Sequence, residues 1–366
     1  MVPERWGKAV RVGVAAVGLL TASGPAWAVT FQEIARIDLA PTSNPTNASY
    51  IGSHASAVAW NGSRLWVAGF NATGNTDNVG IVEVLDPLGT PSLGTAFGQI
   101  STPNLFSYTG LDVAGDTLAA SYDNGAANAN GVQAFSLDGT LRWKVGDTSG
   151  NFQGMSGVAI DPGFSGADSG VASTTFGSGR RWLWNKDTGA NIYNGSNGMV
   201  ITDGGSNASA WRDLDFAPNG DVWLRRANGV YRVVRTGGNS TGDKLLLAES
   251  PNFAFVVGQN ISYLSGLADG DLVIYNSRTT TDIQAFADVV RLIQTDGTSE
   301  PLDITWLGDA PADGNGYYDF DYDPVTQTLA LLDFANHQVH ILAVPEPAGL
   351  ALLGLGSVSL LRRRRG

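Results

Sequence analysis

The 366-residue chain has no cysteine, only three histidines and three methionines, and just 15% charged residues. Lacking cysteine, it can have no disulfide staples, thiol nucleophiles, Cys-ligated zinc or iron–sulfur clusters. Positive charge is also scarce: 22 Lys and Arg face 34 Asp and Glu, a formal net charge of −12, which argues against a nucleic-acid partner. No Gly-x-Ser-x-Gly elbow, phosphate-binding loop, EF-hand or dinucleotide fingerprint occurs, so no motif fixes a reaction and no catalytic residue is assigned. Glycine (47 residues) and aromatics (10 Trp, 10 Tyr, 14 Phe) are plentiful, and 43% of the chain is hydrophobic. That composition describes a folded, Gly-rich, acidic protein with a sizeable core.

Both ends read as addresses. Residues 1–28 place Arg5, Lys8 and Arg11 before an apolar run from Val12 to Leu20, followed by Ala26-Trp27-Ala28. This is the pattern of a secretory signal peptide, with small residues at Ala26 and Ala28 for signal peptidase and Val29 as the first mature residue. An uncleaved anchor is the alternative. The other end runs Val344-Pro345-Glu346-Pro347, an apolar stretch from Ala348 to Leu361, then Arg362, Arg363, Arg364 and Arg365. Four arginines after an apolar run form a cytoplasmic membrane stop, with the Pro-Glu-Pro just outside the bilayer. The 14-residue run spans only ~21 Å as a helix against a hydrocarbon core of ~30 Å, a weak anchor suited to removal. A buried C-terminal helix is disfavoured by the arginines at its end and the two prolines before it.

The last 23 residues resemble a PEP-CTERM sorting tail. That resemblance implies processing near the Pro-Glu-Pro by a membrane protease of the exosortase type. It further implies transient membrane anchorage of the precursor, then a cell-surface or extracellular location in an envelope, exopolysaccharide or biofilm setting. The organisation expected is therefore a signal peptide over 1–28, a folded domain over 29–343 and a sorting and anchor segment over 344–366. Trimming both ends makes the chain more acidic still, which favours solubility.

The middle repeats. Six segments align: Ser56–Trp60, Thr109–Val113, Ser156–Ile160, Arg212–Phe216, Ser265–Ala268 and Tyr318–Tyr322, centred on Val58, Leu111, Val158, Leu214, Leu267 and Phe320. Each precedes a turn and a second strand-like run, such as Val222-Trp223-Leu224 or Leu272–Tyr275, and the clearest repeats add a third. Short Val-, Ile-, Trp- and Tyr-rich runs bounded by Asn-Gly and Asp-Gly turns are antiparallel hairpins. About 50 residues per repeat holds four strands, so the chain resembles a six-bladed β-propeller. Phe31–Leu39 is assigned to the last blade as an outer strand that latches the ring. Five- or seven-bladed rings and a pair of β-sandwiches are the competing architectures, and Asp282–Leu292 suits a strand or a short helix. Long Gly- and Asn-rich loops, such as Asn71–Asn78 and Asp123–Gly131, fall on the surface. Asn-x-Ser/Thr triplets at Asn47, Asn71, Asn207 and Asn239 read as chance matches in an Asn- and Thr-rich chain.

Period two separates the faces of the innermost strands. One face is ordinary packing; the other carries small residues and, anomalously, Asp112, Asp213, Asp215, Asp319 and Asp321. Carboxylates at a crowded position need partners. Either they cap backbone N–H groups of the neighbouring blade, the favoured account, or with His54, Tyr108 or Trp211 they line a channel that binds a hard divalent cation such as Ca²⁺. The second arrangement would allow metal-assisted hydrolysis of an ester or lactone, as in gluconolactonase-type propellers. His337 and His340 are spaced to point to opposite faces and make a poor clamp. Trp182 and Trp184, beside Arg180 and Arg181, suit core packing better than a carbohydrate-stacking platform. The reading is an exported, exosortase-processed propeller, a non-catalytic binding or structural module with a glycan or envelope partner. The alternative is a propeller hydrolase with a carboxylate-lined channel.

Overall fold

The computed structural model describes residues 29–39, 51–71, 78–101, 108–123, 130–147, 154–163, 169–175, 180–192, 199–200, 211–226, 229–236, 241–249, 260–268, 270–276, 286–311 and 317–344. Residues 1–28, read above as a signal peptide, the Pro-Glu-Pro, the apolar run and the arginines lie outside these, as do most of the two long loops named above. Nearly everything described is strand. The strands form six sheets arranged as the six blades of a propeller.

Each blade begins on an innermost strand: His54–Trp60, Tyr108–Ala114, Met155–Asp161, Trp211–Phe216, Ile261–Leu264 and Tyr318–Asp323 for blades 1 to 6. Antiparallel neighbours then step outward. In blade 4, Val222–Arg226, Gly229–Arg235 and Thr241–Glu249 follow in order, the first step turning through Ala217–Asp221 around Pro218-Asn219-Gly220. Gly220 sits at φ +85°, a value L-residues rarely adopt, which is why the turn takes glycine there. Blade 6 departs from the rule. Its third strand, Gln338–Ala343, pairs outward with the N-terminal strand Thr30–Asp38, and Asp303–Thr305 adds a parallel edge strand. The expected latch is present: the first strand among the described residues closes the last blade.

One repeat is out of register with the sequence alignment. The innermost strand of blade 5 is Ile261–Leu264, and Ser265–Ala268 lies beyond it in the turn, where Gly270 N bonds Leu267 O at 3.2 Å. Gly266 at φ +77° cannot continue a strand, and pairing of Ile261 with Tyr275 through Leu264 with Leu272 sets the register. Ile261, not Leu267, takes the central place, so Asn260 and Ser262 stand where other blades carry aspartate. Of the ambiguous segment at 282–292, residues 286–292 form a single helical turn, Phe286–Val289, running into the strand Val290–Gln294, and residues 282–285 lie outside the described residues.

The core lies between blades. Trp60, Trp66, Trp182, Trp211 and Trp223 are all under 2% exposed. Burying a side chain of that size contributes about 4–6 kcal/mol by area before entropy is subtracted. Trp182 and Trp184 stack at 6.0 Å inside this layer, so the pair is core and offers no platform to a sugar. Close approach near the axis explains the small residues there. A Cβ on Gly157 would stand 2.7 Å from the Cα of Asp213 in the next blade. Gly157→Ala is therefore expected to destabilise by about 1–3 kcal/mol through overpacking, read as a lower urea midpoint at unchanged slope. An unchanged midpoint would mean the two innermost strands are further apart than described.

Candidate functional site

The innermost strand of a blade is a sheet edge, and its channel-side N–H groups have no strand to pair with. The aspartates supply the partners. Asp319 Oδ2 accepts Val58 N (2.8 Å) and Asp321 Oδ2 accepts Trp60 N (2.5 Å), tying blade 6 to blade 1. Asp213 and Asp215 accept Ile261 N (3.0 Å) and Tyr263 N (2.6 Å), tying blade 4 to blade 5. Asp112 accepts Ile160 N, tying blade 2 to blade 3. Most also accept the N–H of the following residue in their own strand, as Asp112 does from Val113 (2.7 Å) and Asp215 from Phe216 (2.6 Å). Each such carboxylate bridges two adjacent edge strands.

Carboxylates thus come from blades 2, 4 and 6 and grip blades 3, 5 and 1. The intervening junctions use other groups. Ser56 Oγ donates to Tyr108 O (2.9 Å) between blades 1 and 2, and Asn260 Nδ2 donates to Asp319 Oδ1 (2.8 Å) between blades 5 and 6. Between blades 3 and 4, Arg235 meets Asp161 at 2.5 Å with both side chains fully buried. Arg225 Nε reaches Asn276 O (2.7 Å) from blade 4 to blade 5. None of Asn260, Ser262, Asp161, Arg225 or Arg235 stands out in the sequence. The first two are hidden by the shifted register of blade 5, Asp161 ends its innermost strand one residue past the aligned segment, and Arg225 and Arg235 lie on strands farther out that the alignment does not cover.

The electrostatics of the ring follow from burial. Desolvation pushes Asp215 and Asp319 up to about 7, and the nearby Asp112 charge adds to both. Asp112, Asp213 and Asp321 are also raised, chiefly by desolvation, which outweighs the N–H groups they accept. Asp112, Asp215 and Asp321 keep some contact with water along the axis, yet protein surrounds them, and that governs the shift. Among the described residues, no group of three or more His, Cys, Asp or Glu side chains is arranged to hold a metal ion.

The other candidates go elsewhere. Tyr108 donates to Gln133 Oε1 (3.0 Å) inside the core, and Trp211 packs under the Arg226 guanidinium at 5.2 Å. His54 stacks on Phe334 and His337, with ring centroids 4.3 Å apart in each case, where blade 1 meets blade 6. Burial, then the neighbouring His337, pulls His54 down to about 4. His337 is in a turn at φ +54°, ahead of the strand that holds His340. His340 is buried against Glu33, with Nδ1 2.7 Å from Oε1. Glu33 also receives Arg36 (2.8 Å to each oxygen) and Leu307 N (2.7 Å). Burial alone would raise this carboxyl, but the bonds from His340, Arg36 and Leu307 outweigh it and hold it at about 2. A depression of about 350 Å³ beside the Arg64–Glu83 ion pair is open; the salt bridge engages Arg64 and Glu83, and Asp86 accepts Thr90 N (2.8 Å).

The chain's exit from the fold is well placed. Gln338–Ala343 is a paired strand, and Val344 N still bonds Gln327 O (3.1 Å) while its side chain packs on the core of blades 5 and 6. The next residue is proline, which has no N–H to extend the pairing.

Residues 343–365 match the PEP-CTERM protein-sorting motif. The motif therefore starts inside the last strand of the propeller and has no spacer before it. A PEP-CTERM motif implies export, a membrane-anchored precursor and exosortase processing. Among the described residues no helix is long and apolar enough to cross a membrane. No curated protein sequence matches the chain. Among solved structures it is similar to an auxiliary nutrient binding protein from Bacteroides ovatus ATCC 8483, at 12% identity and a TM-score of 0.53 over 87% of this chain and 78% of that one. It is also similar to one from Bacteroides thetaiotaomicron VPI-5482, at 10% identity and a TM-score of 0.50 over 80% and 69%. Identities this low show a shared fold alone.

Proposed function

We propose that this protein is an exported, exosortase-processed β-propeller that serves as a non-catalytic binding or structural module at the cell surface or in the extracellular matrix. The observation that carries this reading is the PEP-CTERM motif joined directly to a closed propeller. The signal peptide is cleaved after Ala28, the apolar run and Arg362–Arg365 hold the precursor in the membrane, and processing near Pro345-Glu346-Pro347 frees residues from Val29 onward. The partner is a glycan or another envelope component, met on the blade connections opposite the tail.

The non-catalytic reading is supported by what the channel carboxylates already do. A Ca²⁺ site for hydrolysis needs several oxygens converging at ~2.3–2.6 Å on one position. Here separate backbone N–H groups of different strands engage them. Chelator and added Ca²⁺ are accordingly expected to leave the melting temperature of the 29–344 segment unchanged. A stoichiometric ion whose removal lowers it would restore the hydrolase reading.

Processing is tested in an exosortase-bearing host by intact-mass analysis of membrane and released fractions. The released chain is expected to begin at Val29 and to lack the apolar run, and Glu346→Ala is expected to accumulate precursor in the membrane. Release of chains that keep residues 348–366 would refute the proposal.

A further inference from the structure

We infer that in the membrane-anchored precursor the propeller stands on the bilayer with one defined face down, the face formed by the turns between first and second strands. The inference rests on the anchoring just proposed and adds an orientation to it. Thr328 pairs with Ala343 and Asp323 with Thr328, so the last strand ends level with the first turn of its own blade. Neighbouring turns lie on the same side. Gln327 Nε2 reaches Gly266 O of blade 5 (2.8 Å), and Arg64 of blade 1 reaches Leu137 O of blade 2 (2.9 Å).

Tether length excludes the opposite face. Three residues separate Val344 from the apolar run at Ala348. Fully extended, the four steps between those residues reach at most about 14 Å. The innermost strands, of up to seven residues, make the ring about 20 Å deep, so the opposite face cannot reach the headgroups. Tipping onto the rim would use up most of that reach. The exit strand has two further strands outside it, Thr30–Asp38 and Asp303–Thr305, which place it about 10 Å inside the edge.

That face is acidic at its tips: Asp86, Asp138 and Asp296 are exposed turn residues, whereas the exposed Asp116 and Asp187 are offset by ion pairs with Arg142 and Lys186, and the first three carry the excess charge. Held within roughly one Debye length of anionic headgroups, these charges repel the surface. The tether alone opposes that repulsion, so cutting it lets the propeller leave. The aromatic and histidine cluster of His54, Phe334 and His337, at the other ends of the strands, faces outward.

The absence of cysteine permits a clean test. Full-length precursor carrying one of three single substitutions, Val325→Cys (88% exposed, in the blade 6 turn), Leu88→Cys (53% exposed, in a blade 1 turn) or Ala335→Cys on the opposite face, is labelled with a fluorophore. It is then reconstituted in phosphatidylethanolamine–phosphatidylglycerol vesicles containing headgroup-quencher lipid and recovered by flotation. Labels at positions 325 and 88 are expected to be quenched several-fold more than the label at 335. A 20-residue Gly/Ser insert between Val344 and Pro345 is expected to abolish that difference. Floated protein with equal quenching at all three positions, or a difference that survives the insert, would overturn the orientation while leaving the anchor intact. Protein that fails to float would overturn both.

Discussion

Glu33→Ala is expected to lower the unfolding free energy by about 3–5 kcal/mol, the loss typical of removing one partner from a buried ion pair. Glu33 lies on the N-terminal strand and its donors lie far along the chain: His340 on the neighbouring strand and the backbone of Leu307. Arg36 closes the same cluster locally and also bonds Asp309 O (3.0 Å). Removing the carboxylate leaves the buried His340 and the part-buried Leu307 N–H without this acceptor, and Arg36 with only Asp309 O, at the seam where the two ends of the domain meet. Urea unfolding measures the loss, and amide exchange locates it, with protection over Thr30–Asp38 falling first. Glu33→Gln keeps one acceptor oxygen and is expected to lose less. A change below about 0.5 kcal/mol in Glu33→Ala would mean that strand pairing alone closes the ring.

Stability is expected to peak on the acid side of neutrality and to fall as pH rises from about 4 to about 7. Asp215 and Asp319 are pushed from 3.8 to about 7 in the folded state, mainly by desolvation. Between those values the native state binds more protons than the unfolded chain, so stability declines as pH increases. Their contribution is fully present below 3.8 and lost as pH passes through about 7. Three units correspond to about 4 kcal/mol for each group as an upper figure, since the carboxylates share their repulsion. Glu33 works in the opposite sense. Held at about 2 against 4.5 unfolded, it stabilises above 4.5, and that contribution drains away as pH falls toward 2. Melting temperature followed from pH 3 to 9 should trace a dome with its top near pH 4. Asp215→Asn, which removes the charge, should flatten the alkaline side. A melting temperature that climbs steadily to pH 8 would show the channel carboxylates to be ionised and well solvated.

These two expectations bracket one property of the ring. Its latch requires an ionised carboxylate, while its axis gathers carboxylates that resist ionisation. The axial groups persist because each satisfies N–H groups of edge strands that have no neighbouring strand to pair with, and an apolar replacement would remove that partner. Alternation of donor and acceptor blades suits the geometry. If every blade projected two carboxylates, the axis would hold twelve mutually repelling groups where five already raise one another's proton affinity.

The sequence alone determined the repeat, the class of fold, the ring closure and the sorting address. Period-two alternation, turn dipeptides and a terminal Pro-Glu-Pro are local patterns, written in neighbouring residues and readable without coordinates. The aspartate anomaly was legible for the same reason: a carboxylate on the small-residue face of a strand violates a local rule. Tertiary structure alone decided where those carboxylates bond, because Asp319 and Val58 are 261 residues apart and only the closed ring brings them together. It also decided the fifth register. Asn260-Ile-Ser262 and Ser265-Gly-Leu alternate equally well, and only pairing with Leu272–Asn276 selects the first. The exit of Val344 on the turn face is likewise a property of the ring. A tail of fixed length constrains an orientation only once the position of its root on the fold is known.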